Sequence, residues 1–321
     1  MPDALALVPD VLAGRRRAVA RALTVAEGGG AAAADLIDAL YPHTGRAWRI
    51  GVTGPPGAGK STLVDRLVGA FRQRDLRVAV VAVDPSSPFT GGALLGDRVR
   101  MDGRAMGPDG TGDDGVFVRS LAARGALGGL SEAAEATADV FDAAGFDVVL
   151  VETVGVGQGE LDVAEAADTV LVVLVPEAGD AVQAMKAGLM EIADVFCVNK
   201  ADKPESGALV RALLQTLHLR PPAPDAWMPV VVKASALHET GLDGLLDALD
   251  AHHAHLSADS AARREARLRR RVQRLVEADW RRRFWTPERR AALAAAVAGV
   301  DATDRAPHRL AARIAAASDP S

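Results

Sequence analysis

The chain opens with helical spacing and then switches to a series of largely apolar strands. Leu5, Leu7, Val11 and Leu12 precede a helical run at 15–27, and residues 31–40 form a second apolar-rich helix. Tyr41-Pro42-His43-Thr44-Gly45 supplies the turn residues that stop it. Residues 1–47 therefore read as an N-terminal helical extension. Residues 48–53 are a strand candidate, and 78–83 a second in which every residue is apolar. Such a strand is buried on both faces, as a parallel sheet requires. Further strands are expected at 148–152, 169–175, 195–199 and 228–233. Helical patterns at 60–74, 131–144, 180–192 and 206–217 separate most of them, and 242–252 looks like the last core helix. This alternation predicts an α/β fold: three layers around a mostly parallel central sheet.

Two stretches break the pattern. Residues 101–115 hold five glycines, one proline and four aspartates, and read as an exposed loop. Residues 260–284 read as one long arginine-rich helix with Leu268, Val272, Leu275 and Val276 on one face, continued by Trp280 and Phe284. Thr286-Pro287-Glu288 then has the form of an N-cap with proline at N1. It starts a short helix, and 304–317 a last one. The three divisions are thus 1–47, a core domain at 48–257, and a C-terminal helical arm at 258–321.

Composition changes this picture little. Of 321 residues, 49% are hydrophobic and 25% charged, with a net charge of -5, so nothing demands nucleic acid or an anionic membrane. The single cysteine, Cys197, lies in an apolar strand run and reads as a buried residue in a reducing compartment. No apolar run is long enough for a membrane span, and the expectation is a cytoplasmic protein. His252, His253 and His255 are close together, but no ligand partner stands at metal spacing. They read as a polar helix end and linker, and no zinc is expected. The arginines of the arm read as a solvated helix face, or as partners of acidic residues.

The chemistry is concentrated in five segments. Gly54, Pro56, Gly57, Ala58, Gly59, Lys60, Ser61 and Thr62 belong to a Gly-x₄-Gly-Lys-Ser phosphate loop at a strand-to-helix junction. Its glycines let backbone N–H groups surround phosphates, and the helix N-terminus adds a favourable dipole. Lys60 is the candidate to bridge the β- and γ-phosphates, and Ser61 to offer its hydroxyl to Mg²⁺. Asn199-Lys200-Ala201-Asp202 follows a later strand. Asp202 can accept hydrogen bonds from guanine N1–H and the 2-amino group, Asn199 can tie this segment to the phosphate loop, and the stem of Lys200 can cover the base. Ser235, Ala236 and Leu237 form a short loop placed to meet the base edge with backbone N–H groups. Asp84 and Glu152 stand at strand ends on the phosphate-loop side, where a carboxylate can hold Mg²⁺ directly or through water. Asp97 is a further metal candidate, and the Gly155 N–H can report the γ-phosphate. Together these predict GTP/GDP and Mg²⁺ as the bound species, with Lys60, Asp84, Glu152 and Gly155 as the catalytic set.

The residues GVTGPPGAGKSTL at 51–63, VAVDPSSPFTGGALLGDRVRM at 81–101, FDVVLVETVGVGQGE at 146–160 and GDAVQAMKAGLMEIADVFCVNKAD at 179–202 closely resemble the MeaB/ArgK group of P-loop GTPases. These are chaperones of methylmalonyl-CoA mutase and its relatives. The resemblance covers about two thirds of the chain. It implies a dimeric GTPase of the class that includes the signal-recognition and nitrogenase-iron-protein relatives. The partner it implies is a B12-dependent acyl-CoA mutase, with methylmalonyl-CoA mutase the default and isobutyryl-CoA or related mutases as alternatives. GTP binding and hydrolysis would gate cobalamin loading and protect or rescue the mutase. The family's switches fall at 84–97, 152–160 and about 177–186, the last with Asp180 and Lys186 as its charged members. This chain departs from the family in its long acidic loop after Met101, and in having Ala126 where a histidine is common.

Two other classes compete. A metallochaperone-type GTPase should carry a histidine-rich tail or a Cys/His pair near the phosphate loop, and the sequence has neither. A P-loop small-molecule kinase should prefer ATP, against which Asp202 argues.

Overall fold

The computed structural model describes residues 4–85, 113–123, 129–153, 166–176, 188–219, 226–257, 260–298 and 306–316, with the side chains of 84–85, 122–123, 129–131, 257, 260–261 and 263 excepted. Asp97, Gly155, Asp180, Lys186, Ala126 and most of the acidic loop lie outside them.

Seven strands form one sheet in the order β3-β2-β4-β1-β5-β6-β7. They are β1 Trp48–Thr53, β2 Val78–Pro85, β3 Val116–Ala123, β4 Val148–Thr153, β5 Thr169–Leu174, β6 Val195–Val198 and β7 Val230–Lys233. Each neighbouring pair is parallel. Side chains on a strand alternate between faces, and both faces here are covered. On β2, Val78, Val80 and Ala82 join one core with α4 (Lys60–Arg72) and α8 (Leu242–Ser257). Ala79, Val81 and Val83 join another with α2 (Arg16–Gly28), α3 (Gly30–Leu40) and α5 (Gly129–Ala143). On the same face as the latter, Val170, Val172 and Leu174 of β5 pack with α6 (Leu189–Ile192) and α7 (Ser206–Leu219). The three-layer α/β/α architecture is therefore the one the alternation predicts. The early helices, including α1 (Val8–Leu12), are part of this core. Ala18, Val19, Ala22, Leu23 and Ala26 of α2 are all buried at helical spacing.

A buried polar network fixes where β1 begins. Arg49 donates to Asp139 at 2.8 Å and Asp142 at 3.2 Å, and all three are almost fully buried. Asp142 also accepts the backbone N–H groups of Gly45, Arg46 and Ala47 at 2.7, 3.1 and 3.0 Å. Burial works to lower the guanidinium pKa, and the two carboxylates together outweigh it and raise the pKa.

The structure corrects the reading of the three histidines as a polar helix end at one of them, His252. His252 is 2% exposed. Its Nδ1 lies 2.9 Å from Thr169 Oγ1 and its Nε2 3.3 Å from Asp194 Oδ1, while its ring packs on Trp227. His253 stacks on Trp48, and burial lowers its pKa. α8 extends to Ser257, a turn beyond the expected end, and buries the His252 ring at the base of β5 and β6, while His253 is exposed and His255 half-buried. Cys197 is the buried strand residue expected, its thiol pushed up to about 12 by desolvation.

A second compact unit begins at Ala261. It holds most of α9 (Ser260–Phe284), then α10 (Pro287–Ala298) and α11 (Pro307–Ala316). Thr286 Oγ1 accepts the Arg289 N–H at 3.3 Å, the expected N-cap bond. Phe284, Trp285, Leu293, Val297, Leu310 and Ile314 line an apolar cavity of about 530 Å³. On α9, Leu268, Val272, Leu275, Val276 and Trp280 are each exposed by 40% or more.

Candidate functional site

The candidate residues gather at the C-terminal edge of the sheet, where ligands bind in open α/β folds. The loop from β1 into α4 can take its path only with glycine at two points. Gly54 has φ +138°, and a Cβ there would lie 2.0 Å from the Val173 carbonyl oxygen of β5. Gly59, the N-cap of α4, has φ +83°, and a Cβ there would lie 2.6 Å from Asn199 Nδ2. The loop is thus pressed against β5 on one side and against the Asn199 segment on the other. Pro56 and Gly57 are exposed at its tip and Ala58 is buried beneath it. Thr62 is exposed on the first turn of α4.

Lys60 is 6% exposed. Its Nζ donates to the carbonyls of Gly54 at 2.7 Å and Pro55 at 2.9 Å, which places the ammonium inside the curl of the loop. Ser61 Oγ donates to Glu152 Oε1 at 2.6 Å. Glu152 is buried at the end of β4, and one residue on Thr153 Oγ1 donates to Thr53 Oγ1 at 3.2 Å. A hydroxyl and a carboxylate in contact beside a phosphate loop form an oxygen-only donor set, the type Mg²⁺ prefers. Asp84 lies near the end of β2, opposite Ala122 of β3 and two rungs beyond the Ala82–Glu152 pair.

The second half of the site hangs from β6 and β7. Asn199 Nδ2 donates to the Ala58 carbonyl at 2.8 Å, and Asn199 Oδ1 accepts the Ala236 N–H at 3.0 Å. One side chain therefore joins the phosphate loop to the 235–237 loop. Lys200 holds φ +54°, which costs a non-glycine residue about 1 kcal/mol. The next residue secures it, with Ala201 N–H donating to Ala234 O at 3.0 Å. Asp202 is exposed, and Ser235 Oγ donates to its Oδ1 at 2.9 Å. That bond, with help from its own backbone N–H, holds the carboxyl below the usual carboxylate range. Leu237 is 73% exposed at the loop tip.

Sequence reasoning missed Arg66 and Glu239. Arg66 Nε donates to the Ala236 carbonyl at 3.0 Å, and its guanidinium pairs with Glu239. Nothing local marks a pairing across 170 positions of chain. The only available sign is an arginine on the helix that begins at the phosphate loop.

A family model described as methylmalonyl-CoA mutase-associated GTPase MeaB matches residues 19–289. A putative GTPase of Pyrococcus abyssi is 45% identical over 273 residues, 84% of this chain and 82% of its own length. The GTPase ArgK of Escherichia coli is 40% identical over 243 residues, 74% of this chain and 72% of its own. Among solved structures, one described as a LAO/AO transport system kinase superposes with a TM-score of 0.75 at 27% identity, covering 97% of this chain and 96% of that one. The chain therefore belongs to the MeaB family of P-loop GTPases.

Proposed function

We propose that this GTPase serves a B12-dependent acyl-CoA mutase, methylmalonyl-CoA mutase by default, gating cobalamin loading and protecting or reactivating the mutase through its cycle of GTP binding and hydrolysis. The observation that carries this reading is the match of the mutase-associated family over residues 19–289.

The site residues take the following roles. Backbone N–H groups from Gly54 to Ser61 and the α4 N-terminus receive the phosphates. Lys60 stabilises negative charge that develops on the transferred phosphoryl group. Ser61, Glu152 and Asp84 would hold Mg²⁺, directly or through water, and the ion would neutralise phosphate charge. Asp202 accepts from the guanine N1–H and 2-amino groups, Lys200 covers the base, and Asn199 and the 235–237 loop set the base against the phosphate loop. Gly155 and Asp97 are assigned to γ-phosphate sensing and to the metal from the motifs alone. The residue after Gly155 is Val156, not glutamine, so the mutase is the candidate to complete the hydrolytic site. The α9 stripe is assigned to a homodimer seam. Among the described residues no helix is long and apolar enough to cross a membrane.

The test is GTP turnover by the full chain, alone and with purified methylmalonyl-CoA mutase, together with co-purification in GTP-analogue and GDP states. Turnover that rises with the mutase, and binding that differs between the two states, are expected. A mutase that neither binds in either state nor alters turnover would remove it as the partner.

A further inference from the structure

Arg66 stands on α4 five residues after Ser61, about 7.5 Å along the helix axis. Its Nε bond to the Ala236 carbonyl, at 3.0 Å, completes a closed circuit. The Ala236 N–H is taken by Asn199, and Asn199 is bonded through its other amide atom to Ala58 in the phosphate loop. The phosphate loop leads into α4, and α4 returns to Ala236 through Arg66. The base loop is therefore tied to the phosphate loop twice, once through β6 and once through α4.

The second tie does something the first does not. In a trans peptide the C=O and N–H point in opposite directions. A guanidinium that fixes the Ala236 carbonyl therefore also fixes the direction of the Leu237 N–H. Ser235 and Ala236 are buried, but from Leu237 onward the loop has little packing to do this. Leu237 is 73% exposed, Glu239 sits at φ +55°, and beyond them the loop closes on a Ser235–Thr240 backbone bridge.

We propose that Arg66 is a positioning residue for guanine selectivity, holding the 235–237 loop so that its backbone N–H reads the oxygen at position 6 of the base. This rests on the guanine reading of Asn199, Asp202 and Ser235 given above. Guanine and 2,6-diaminopurine share the 2-amino group and differ at N1, which Asp202 reads, and at position 6, an acceptor in guanine and a donor in the analogue. The N1 difference is common to every Arg66 and Glu239 variant, so a change in preference among them reports position 6. Glu239 holds the guanidinium by an ion pair but does not touch the Ala236 peptide.

The experiment measures affinities of the full chain for GDP, ADP and the diphosphate of 2,6-diaminopurine riboside, and turnover at saturating GTP. Arg66→Met keeps the aliphatic stem and removes the donors. It is expected to reduce the preference for GDP over the diaminopurine analogue about tenfold while leaving kcat within about twofold. Arg66→Lys, which retains a donor, is expected to restore part of that preference, and Glu239→Gln to leave it intact. An unchanged preference in Arg66→Met, or an equal loss in Glu239→Gln, overturns the proposal. Failure of the guanine reading itself looks different, since the unsubstituted protein would then show no preference for GDP over ADP.

Discussion

In the proposed site base choice turns on Asp202, and the state of that carboxylate is set by its neighbour. The Ser235 hydroxyl favours the ionised carboxylate, which is the form that accepts from guanine. Asp202→Asn replaces one acceptor with a donor facing the base N–H groups. It should weaken GDP binding about tenfold or more and shift preference toward xanthine nucleotides. Equal binding of ATP and GTP by the unsubstituted protein would contradict this. The pH dependence has a definite sign. Because the pKa is lowered, guanine affinity should persist down to about pH 4 and fall only as pH drops through the lowered value. Ser235→Ala should move that fall to higher pH in a GDP titration. Lys60 makes a separate prediction. Lys60→Ala should cut GTP turnover by about 10² or more, and undiminished turnover would exclude it from the chemistry. These residues were legible because phosphate and base recognition demand fixed spacings, four residues between Gly54 and Gly59 and two between Asn199 and Asp202. Arg66 was not, because its partner is a backbone carbonyl, and a carbonyl has no residue type.

Among the elements, the strands β2, β4 and β5, apolar along most of their length, were readable because a parallel sheet buries both faces. The edge strand β3 was not. It carries Arg119 and Ser120, only partly buried, and follows the glycine-rich acidic loop, so its pattern is diluted on the side that lacks a further strand. Arg119 pairs there with Glu27 of α2, an acid 92 positions away. The Arg49 network was hidden for a related reason. An arginine in a strand and two aspartates in a helix look like surface positions until the fold buries them together. That burial makes Asp142 the most sensitive member. It accepts three consecutive backbone N–H groups besides Arg49. Asp142→Ala would leave those donors and a buried guanidinium short of an acceptor, a loss of about 3–5 kcal/mol. Urea unfolding followed by circular dichroism measures it. A loss below about 1 kcal/mol would mean the network behaves like a surface pair.

For the whole molecule the open quantity is its stoichiometry, and the expected answer is a homodimer closed through the C-terminal helices. Leu268, Val272, Leu275, Val276 and Trp280 recur at helical spacing on α9, and each is exposed by 40–72%. A 25-residue helix with such a stripe needs a surface to cover it, because propensity alone stabilises an isolated helix little. The remaining faces of α9 suit water. Glu265 and Arg269, and Asp279 with Arg282 and Arg283, form exposed pairs along it, and such pairs add at most about 1 kcal/mol each. A stable interface typically buries about 1,600 Å² in total, an area that apolar helices from two subunits can supply. Val272 and Leu275 lie three apart on the stripe, so aspartate at both would place two charges in the seam, where an unpaired carboxylate is strongly unfavourable. Light scattering of the full chain at micromolar concentration, with GDP bound, should give about twice 33.3 kDa. The Val272→Asp, Leu275→Asp double variant should give a single subunit mass with its GDP affinity retained, since no phosphate- or base-loop residue lies on α9. A monomeric unsubstituted protein under those conditions would sink the dimer. A dimer that survives both aspartates would keep the stoichiometry and move the seam off this stripe, with the apolar cavity between α10 and α11 as the next surface to substitute.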